Sequence, residues 1–248
     1  MTPVWITAFL DLPEADHHAG ADFWSAVTGY PRSPSRGEHG QFATLVPPHG
    51  TDYLRVQRLD VPRPRVHVDL HVDDVPAAAV DAEALGAQEV EAPDDDLRIM
   101  RSPGGFVFCL VPGSGGRRPP PTVWPDGRTS YVDQVCLDIP PSRYDDELAF
   151  WAALTGWRRR DPRPGSEFGR VTPGPDQPLQ LLLQRLDDEQ DAVTAHLDWA
   201  ASDREAEVAA HLEAGAELEG VFEGWTVLRD PAGMTYCVTG RRPGDRPE

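Results

Sequence analysis

Two short strings in this 248-residue sequence carry side chains able to do chemistry, His67-Val68-Asp69 and His196-Leu197-Asp198. Residues two apart on a strand share a face, so each imidazole has a carboxylate beside it. Such a pair can hydrogen-bond inside a partly buried cleft, contact a small ligand, or contribute to a metal site. His71 shares the face of His67, but its counterpart in the second string is Ala200. Cys109 lies in FVFCLV and Cys237 in MTYCVT. A thiolate is disfavoured in such apolar runs, so both read as small buried fillers. With Cys136 they make three cysteines, too few and too widely spaced for a disulfide scaffold or a CxxC metal knuckle. No Ser–His–acid or Cys–His nucleophile arrangement can be argued. His17 and His18 on a first helix, and His39 and His49 in loops, read as solvent groups.

The elements that place these residues come in repeated order. LDLPEADHHAGADFWSAVTGY from Leu10 matches LDIPPSRYDDELAFWAALTGW from Leu137 at an offset of 127. VHVDLHVDD from Val66 matches AHLDWAASD from Ala195 at 129, and SPGGFVFCLVPG from Ser102 matches DPAGMTYCVTGR from Asp230 at 128. Three blocks in the same order at nearly one offset mark an internal duplication. The expected division is a first domain over 1–113, a Pro/Gly/Arg-rich connector over 114–128, a second domain over 129–242 and a tail over 243–248.

Within the first copy, apolar patterning predicts a strand at Val4–Leu10 and a helix at Glu14–Thr28 stopped by Gly29. Strands at 41–46 and 52–59 follow. The pattern restarts with a strand at Arg65–Val72, where Val66, Val68, Leu70 and Val72 face opposite His67, Asp69 and His71. Asp73 or Asp74 caps a second helix ended by Gly86, and strands at 88–91, 96–101 and 106–111 close the unit. Strand–helix–strands thus recurs four times, and paired modules of this kind can curve around a cleft suited to a small molecule or a metal. Trp24 and Trp151, at equivalent helix positions, read as core. Trp5, Trp199 and Trp225 read as core or pocket lining.

Composition narrows the partners. The 41 acidic residues outnumber 23 basic ones, all arginine, for a net charge of −18. The field repels phosphate, which argues against nucleic acid and anionic membranes. The absence of lysine excludes a Schiff base or a Lys-based phosphate loop. The run Arg158–Arg160 reads as solvated surface. No signal peptide or membrane-length apolar run is evident, so a cytoplasmic protein is expected.

The blocks LDLP…FWSAVTGY, RVHVDLHVDD and SPGGFVFCLVP, with their second copies LDIP…FWAALTGW, AHLDWAASD and DPAGMTYCV, resemble the vicinal oxygen chelate superfamily. That group holds the glyoxalases, bleomycin-resistance proteins and extradiol dioxygenases. The resemblance covers nearly the whole chain and is closest to compact glyoxalase-like domains. It implies an α+β fold: a tandem of glyoxalase-like domains, each two paired βαβββ modules with curved mixed sheets around a cleft. Metal enzymes of the superfamily use three positions lining the cup, typically His or Gln, then His, then Glu. Carried onto this sequence, these are Thr7, His67 and Cys109 in the first copy and Gln134, His196 and Cys237 in the second.

Neither copy has the last-strand carboxylate. The resemblance therefore implies a binder of a small organic molecule in a cup, with Asp69 and Asp198 joining the six positions as cleft candidates, and no metal cofactor. The alternative is a metal-dependent lyase or isomerase of glyoxalase type, or a dioxygenase-like enzyme, using the second copy with zinc or iron at Gln134, His196 and Cys237. Partners are expected to be a small-molecule ligand alone, with the two copies pairing within one chain as a monomer or the chain forming a homodimer.

Overall fold

The computed structural model describes residues 1–245, so residues 246–248 of the expected tail lie outside the described residues. The first copy forms β1 (Trp5–Pro13), α1 (His17–Thr28), β2 (Phe42–Leu45), β3 (Leu54–Leu59), β4 (Arg65–Val72), α2 (Val75–Ala84), β5 (Gln88–Asp94), β6 (Leu97–Arg101) and β7 (Val107–Pro112). Then follow β8 (Thr122–Val123), within the expected connector, and β9 (Thr129–Ile139). The second copy continues with α3 (Tyr144–Thr155), β10 (Arg158–Arg160), β11 (Phe168–Thr172), β12 (Gln180–Arg185), β13 (Thr194–Ala201), α4 (Arg204–Glu213), β14 (Glu217–Val221), β15 (Trp225–Arg229) and β16 (Thr235–Thr239). One sheet has the order β2-β3-β1-β4-β7-β6-β5, and the other β10-β11-β12-β9-β13-β16-β15-β14 with β8 on β9. Both are mixed: β4–β7 and β13–β16 run parallel, while the hairpins are antiparallel.

Local chemistry explains the boundaries. Both first helices stop at glycines in the left-handed region, Gly29 at φ 70° and Gly156 at φ 67°, which donate back to Ala26 and Ala152. Asp74 caps α2 by accepting from the Ala77 amide, and Asp203 caps α4 by accepting from that of Ala206. Helix α1 begins three residues later than the apolar pattern predicts. Asp16 makes no side-chain cap bond, and the residues before it turn instead. Between α1 and β2 the chain makes only isolated bridges, Arg32 with Leu45 and Arg36 with Phe42. Pro31 and Pro34 lie in that segment and lack amide donors. The equivalent residues Arg158–Arg160 carry no proline and form β10, so the expected surface run is a strand with exposed arginine side chains.

The chain divides into two compact units, each drawing on both copies. Unit 1 comprises Met1–Ala8, His67–Arg117 and Val135–Ala195; unit 2 comprises Phe9–Val66, Arg118–Gln134 and everything from His196 onward. In unit 2, Trp24 of α1 is fully buried, stacks on Trp199 and meets Tyr236 edge-on. Its indole donates to Asp230 Oδ2 at 2.7 Å. In unit 1, Trp151 of α3 packs against Phe106 and Phe108, and its indole donates to Glu147 Oε2 at 2.8 Å. The repeat thus places equivalent tryptophans against buried carboxylates from different sequence positions.

Those carboxylates tie stability to pH. Burial raises Asp230, Glu147 and Asp133 above the ordinary carboxylate range, against the lowering effect of their hydrogen bonds and, for Asp133, of Arg241. A carboxyl raised in the folded state contributes stability below its unfolded value, which is lost as pH rises through the folded one. Asp230→Asn is therefore expected to flatten the fall in unfolding free energy from about pH 4 toward neutrality. Urea titrations at stepped pH read this out, and wild-type and variant curves running parallel would contradict it.

Among the described residues, no helix is long and apolar enough to cross a membrane.

Candidate functional site

Strand β4 carries His67 and Asp69 on one face, and the parallel ladder with β7 places Asp69 directly opposite Cys109. Their side chains are buried, at 7%, 6% and 8% exposure. His67 Nε2 lies 3.6 Å from Asp69 Oδ1. One donor atom from each of His67, Asp69 and Cys109 lies within 4.8 Å of the other two. Thr7, the first-strand position of this copy, is fully buried, and its hydroxyl is 2.9 Å from His71 Nε2. His71, whose repeat counterpart is Ala200, thus engages the first-strand position of this copy.

In the second copy, within unit 2, β13 and β16 repeat the ladder with Asp198 opposite Cys237. Gln134 Nε2 makes a short hydrogen bond to Asp198 Oδ2, and His196 Nε2 stands 3.3 Å from Asp198 Oδ1. Gln134 Oε1 is buried and accepts no hydrogen bond. On the opposite side of β9, Asp133 receives both terminal nitrogens of Arg241 at 2.8 and 2.7 Å. In each copy the histidine, the aspartate two residues on and the last-strand cysteine occupy adjacent strand positions. All three cysteines are buried, and none of them is in a disulfide.

In the first copy, one pair of the donor set stands at metal-ligand spacing. Two ligands of one tetrahedral zinc, at about 2.0–2.3 Å from it, stand roughly 3.4–3.8 Å apart. The separation of His67 and Asp69 matches that spacing. Asp69 supplies from β4 the carboxylate that the last strand lacks. Nitrogen, carboxylate oxygen and sulfur together suit zinc better than a hard octahedral ion.

Other polar residues were not foreseen. His17, expected in solvent, is 6% exposed, and burial holds its imidazole below the usual histidine range. His211 on α4 is buried between Glu207 Oε1 at 3.1 Å and the Tyr236 hydroxyl at 3.0 Å, and Arg128 pairs with the other Glu207 oxygen. The i,i+4 spacing of Glu207 and His211 is the one signal that could have disclosed this pair. Trp157 lines a cavity of about 760 Å³ in unit 1.

Comparison with known proteins fits this architecture. The family described as "Glyoxalase-like domain" matches residues 7–111 and 134–239. No curated protein matches the sequence. Among solved structures, a Mn(II)-bound glyoxalase from Novosphingobium aromaticivorans is 15% identical at a TM-score of 0.69, covering 96% of this chain and 82% of its own. A mutant of 4-hydroxymandelate synthase from Streptomyces coelicolor is 15% identical at a TM-score of 0.65, over 99% of this chain and 94% of that one. The 2,3-dioxygenase LapB from Pseudomonas sp. KL28 is 13% identical at 0.66, over 100% and 95%. At these identities the likeness is one of fold. With both halves matched by one family, the chain belongs to the glyoxalase-like domain family of the vicinal oxygen chelate superfamily and carries that domain twice.

Proposed function

We propose that the first copy holds a divalent metal of the zinc class at His67, Asp69 and Cys109, and that the protein acts as a metal-assisted lyase or isomerase on a small oxygen-bearing molecule. The observation that carries this reading is the convergence of three buried donors of three kinds within 4.8 Å of one another. When bound, such an ion polarises a substrate oxygen as a Lewis acid. The chain's own residues supply the rest. His67 and Asp69 approach the same point from one strand face, and Cys109 meets them from the neighbouring strand. The contact between Thr7 and His71 anchors β1 beside them. The similarity to a Mn(II)-bound glyoxalase supports a metal-dependent activity.

A metal-free binder of a small organic molecule is the second reading. It is favoured by the Thr7 hydroxyl being engaged by His71 at the position to which the superfamily resemblance carries the first ligand. Elemental analysis separates the two. Protein purified without chelator, or loaded with zinc, iron or manganese, should carry a stoichiometric metal that His67→Ala loses by a factor of at least about a hundred in affinity. A content far below stoichiometry after loading overturns the metal reading and leaves the binder.

A further inference from the structure

The 760 Å³ cavity in unit 1 has the size of a small-molecule site, about 300–1,000 Å³. One wall is the N-terminal segment Thr2–Val4. That segment is tied down by an ion pair of the Met1 amine with Asp81, by the Val4 amide on the His71 carbonyl, and by Gln177 donating to the Pro3 carbonyl. Facing it are Trp157, largely buried, and Thr172 at the end of β11. The cavity is therefore built by ordered backbone on one side and by sheet on the other.

One orphaned polar pair adjoins the cavity through Thr172, which lines it. The ladder between β11 and β12 pairs Arg170 with Leu182 and Val171 with Leu181, so its next step sets Thr172 opposite Gln180 with both side chains on one face. Thr172 Oγ1 is buried without a hydrogen-bond partner, and so are both amide atoms of Gln180, whose side chain is 1% exposed. Buried amides and hydroxyls without partners weaken a fold, and a molecule that supplies those partners recovers the loss. A carboxamide beside a hydroxyl offers both a donor and an acceptor. Arg158 and Asp176, both exposed at the rim, oppose each other in charge and leave no net demand for an ionic ligand.

We propose that this cavity is a binding site for a small, flat, neutral molecule presenting a hydrogen-bond donor and acceptor on one edge, of the lactam, imide or ureide class. The amide-bearing edge meets Thr172 and Gln180, and the flat body lies along Trp157. The site uses none of His67, Asp69 or Cys109, so it stands independently of the metal reading.

Gly174 provides a clean test. A side chain there would meet no heavy atom within 4 Å, and its backbone is outside the left-handed region. Gly174→Leu should therefore fill cavity space while the fold is kept. Binding of uracil and hydantoin is measured by ligand-observed NMR on chelator-treated full-length protein, with 1,3-dimethyluracil as the probe lacking donors. Saturable binding of the first two is expected, with at least about tenfold weakening for dimethyluracil and for Gly174→Leu. Gln180→Leu and Thr172→Val should weaken binding similarly while unfolding at equal or higher temperature, because they remove orphaned polar atoms. Circular dichroism melts verify folding of each variant. Absence of saturable binding to wild type, or binding unchanged in Gly174→Leu and Gln180→Leu, overturns the proposal.

Discussion

Trp24→Ala is expected to destabilise the protein by about 5 kcal/mol, a third or more of the roughly 5–15 kcal/mol that holds a typical domain folded. Truncating a buried tryptophan costs about 3–5 kcal/mol through lost transfer energy and the cavity left behind. Here the ring stacks on Trp199 at 6.2 Å and meets Tyr236 at 5.3 Å, so the cavity would open among large rings that cannot easily collapse into it. A second loss adds to the first. Asp230 is buried and accepts a hydrogen bond from the Trp24 indole at 2.7 Å, so the variant removes one of the donors that make its burial tolerable. Trp24→Phe keeps the packing and removes the donor, and should cost only about 1–2 kcal/mol. Urea unfolding followed by circular dichroism measures both, and a loss below about 2 kcal/mol for the alanine variant would contradict the packing described.

Glu147→Ala should cost about 3 kcal/mol for a different reason. The Glu147 side chain is completely buried on α3 and accepts hydrogen bonds from the Gly104 amide and the Trp151 indole. Removing it strands both donors, at about 1–3 kcal/mol each. Part of that is offset because the buried carboxyl is itself unfavourable, as its raised proton affinity shows. Glu147→Gln restores one acceptor but turns an amide toward a donor, so it should fall between wild type and alanine in the same unfolding titrations. An alanine variant as stable as wild type would show that these bonds carry no net weight.

Much of this architecture is legible in the residues. Gly29 and Gly156 end equivalent helices, Asp74 caps where its position suggests, and the alternation over Arg65–Val72 reads directly as β4. These are local signals of turn chemistry and side-chain period. The site was legible only in parts. His67 with Asp69 follows from strand alternation, but the approach of Cys109 follows from the parallel register of β4 with β7, some forty residues away in sequence. An apolar context made Cys109 read as a filler, and no local pattern records that its thiol would face a carboxylate. The pairing of Gln134 with Asp198 is likewise a product of strand neighbours rather than of spacing. A polar residue in a first helical turn reads as exposed, but tertiary packing covers His17. Thr172 and Gln180 gave no signal at all, since an orphaned buried polar atom is defined by what is missing around it in space.

The central claim is that His67, Asp69 and Cys109 act as one donor set. Cobalt(II) tests it most directly, because cobalt takes zinc sites and reports its ligands by colour. Titration of cobalt into metal-free protein should give intense visible bands of a tetrahedral ion together with a near-ultraviolet thiolate-to-cobalt charge-transfer band. In Cys109→Ser the charge-transfer band should vanish, and in Asp69→Asn the binding should weaken by at least about tenfold. Cobalt that stays octahedral and weakly coloured in the wild-type protein, or a charge-transfer band that survives Cys109→Ser, would contradict the account.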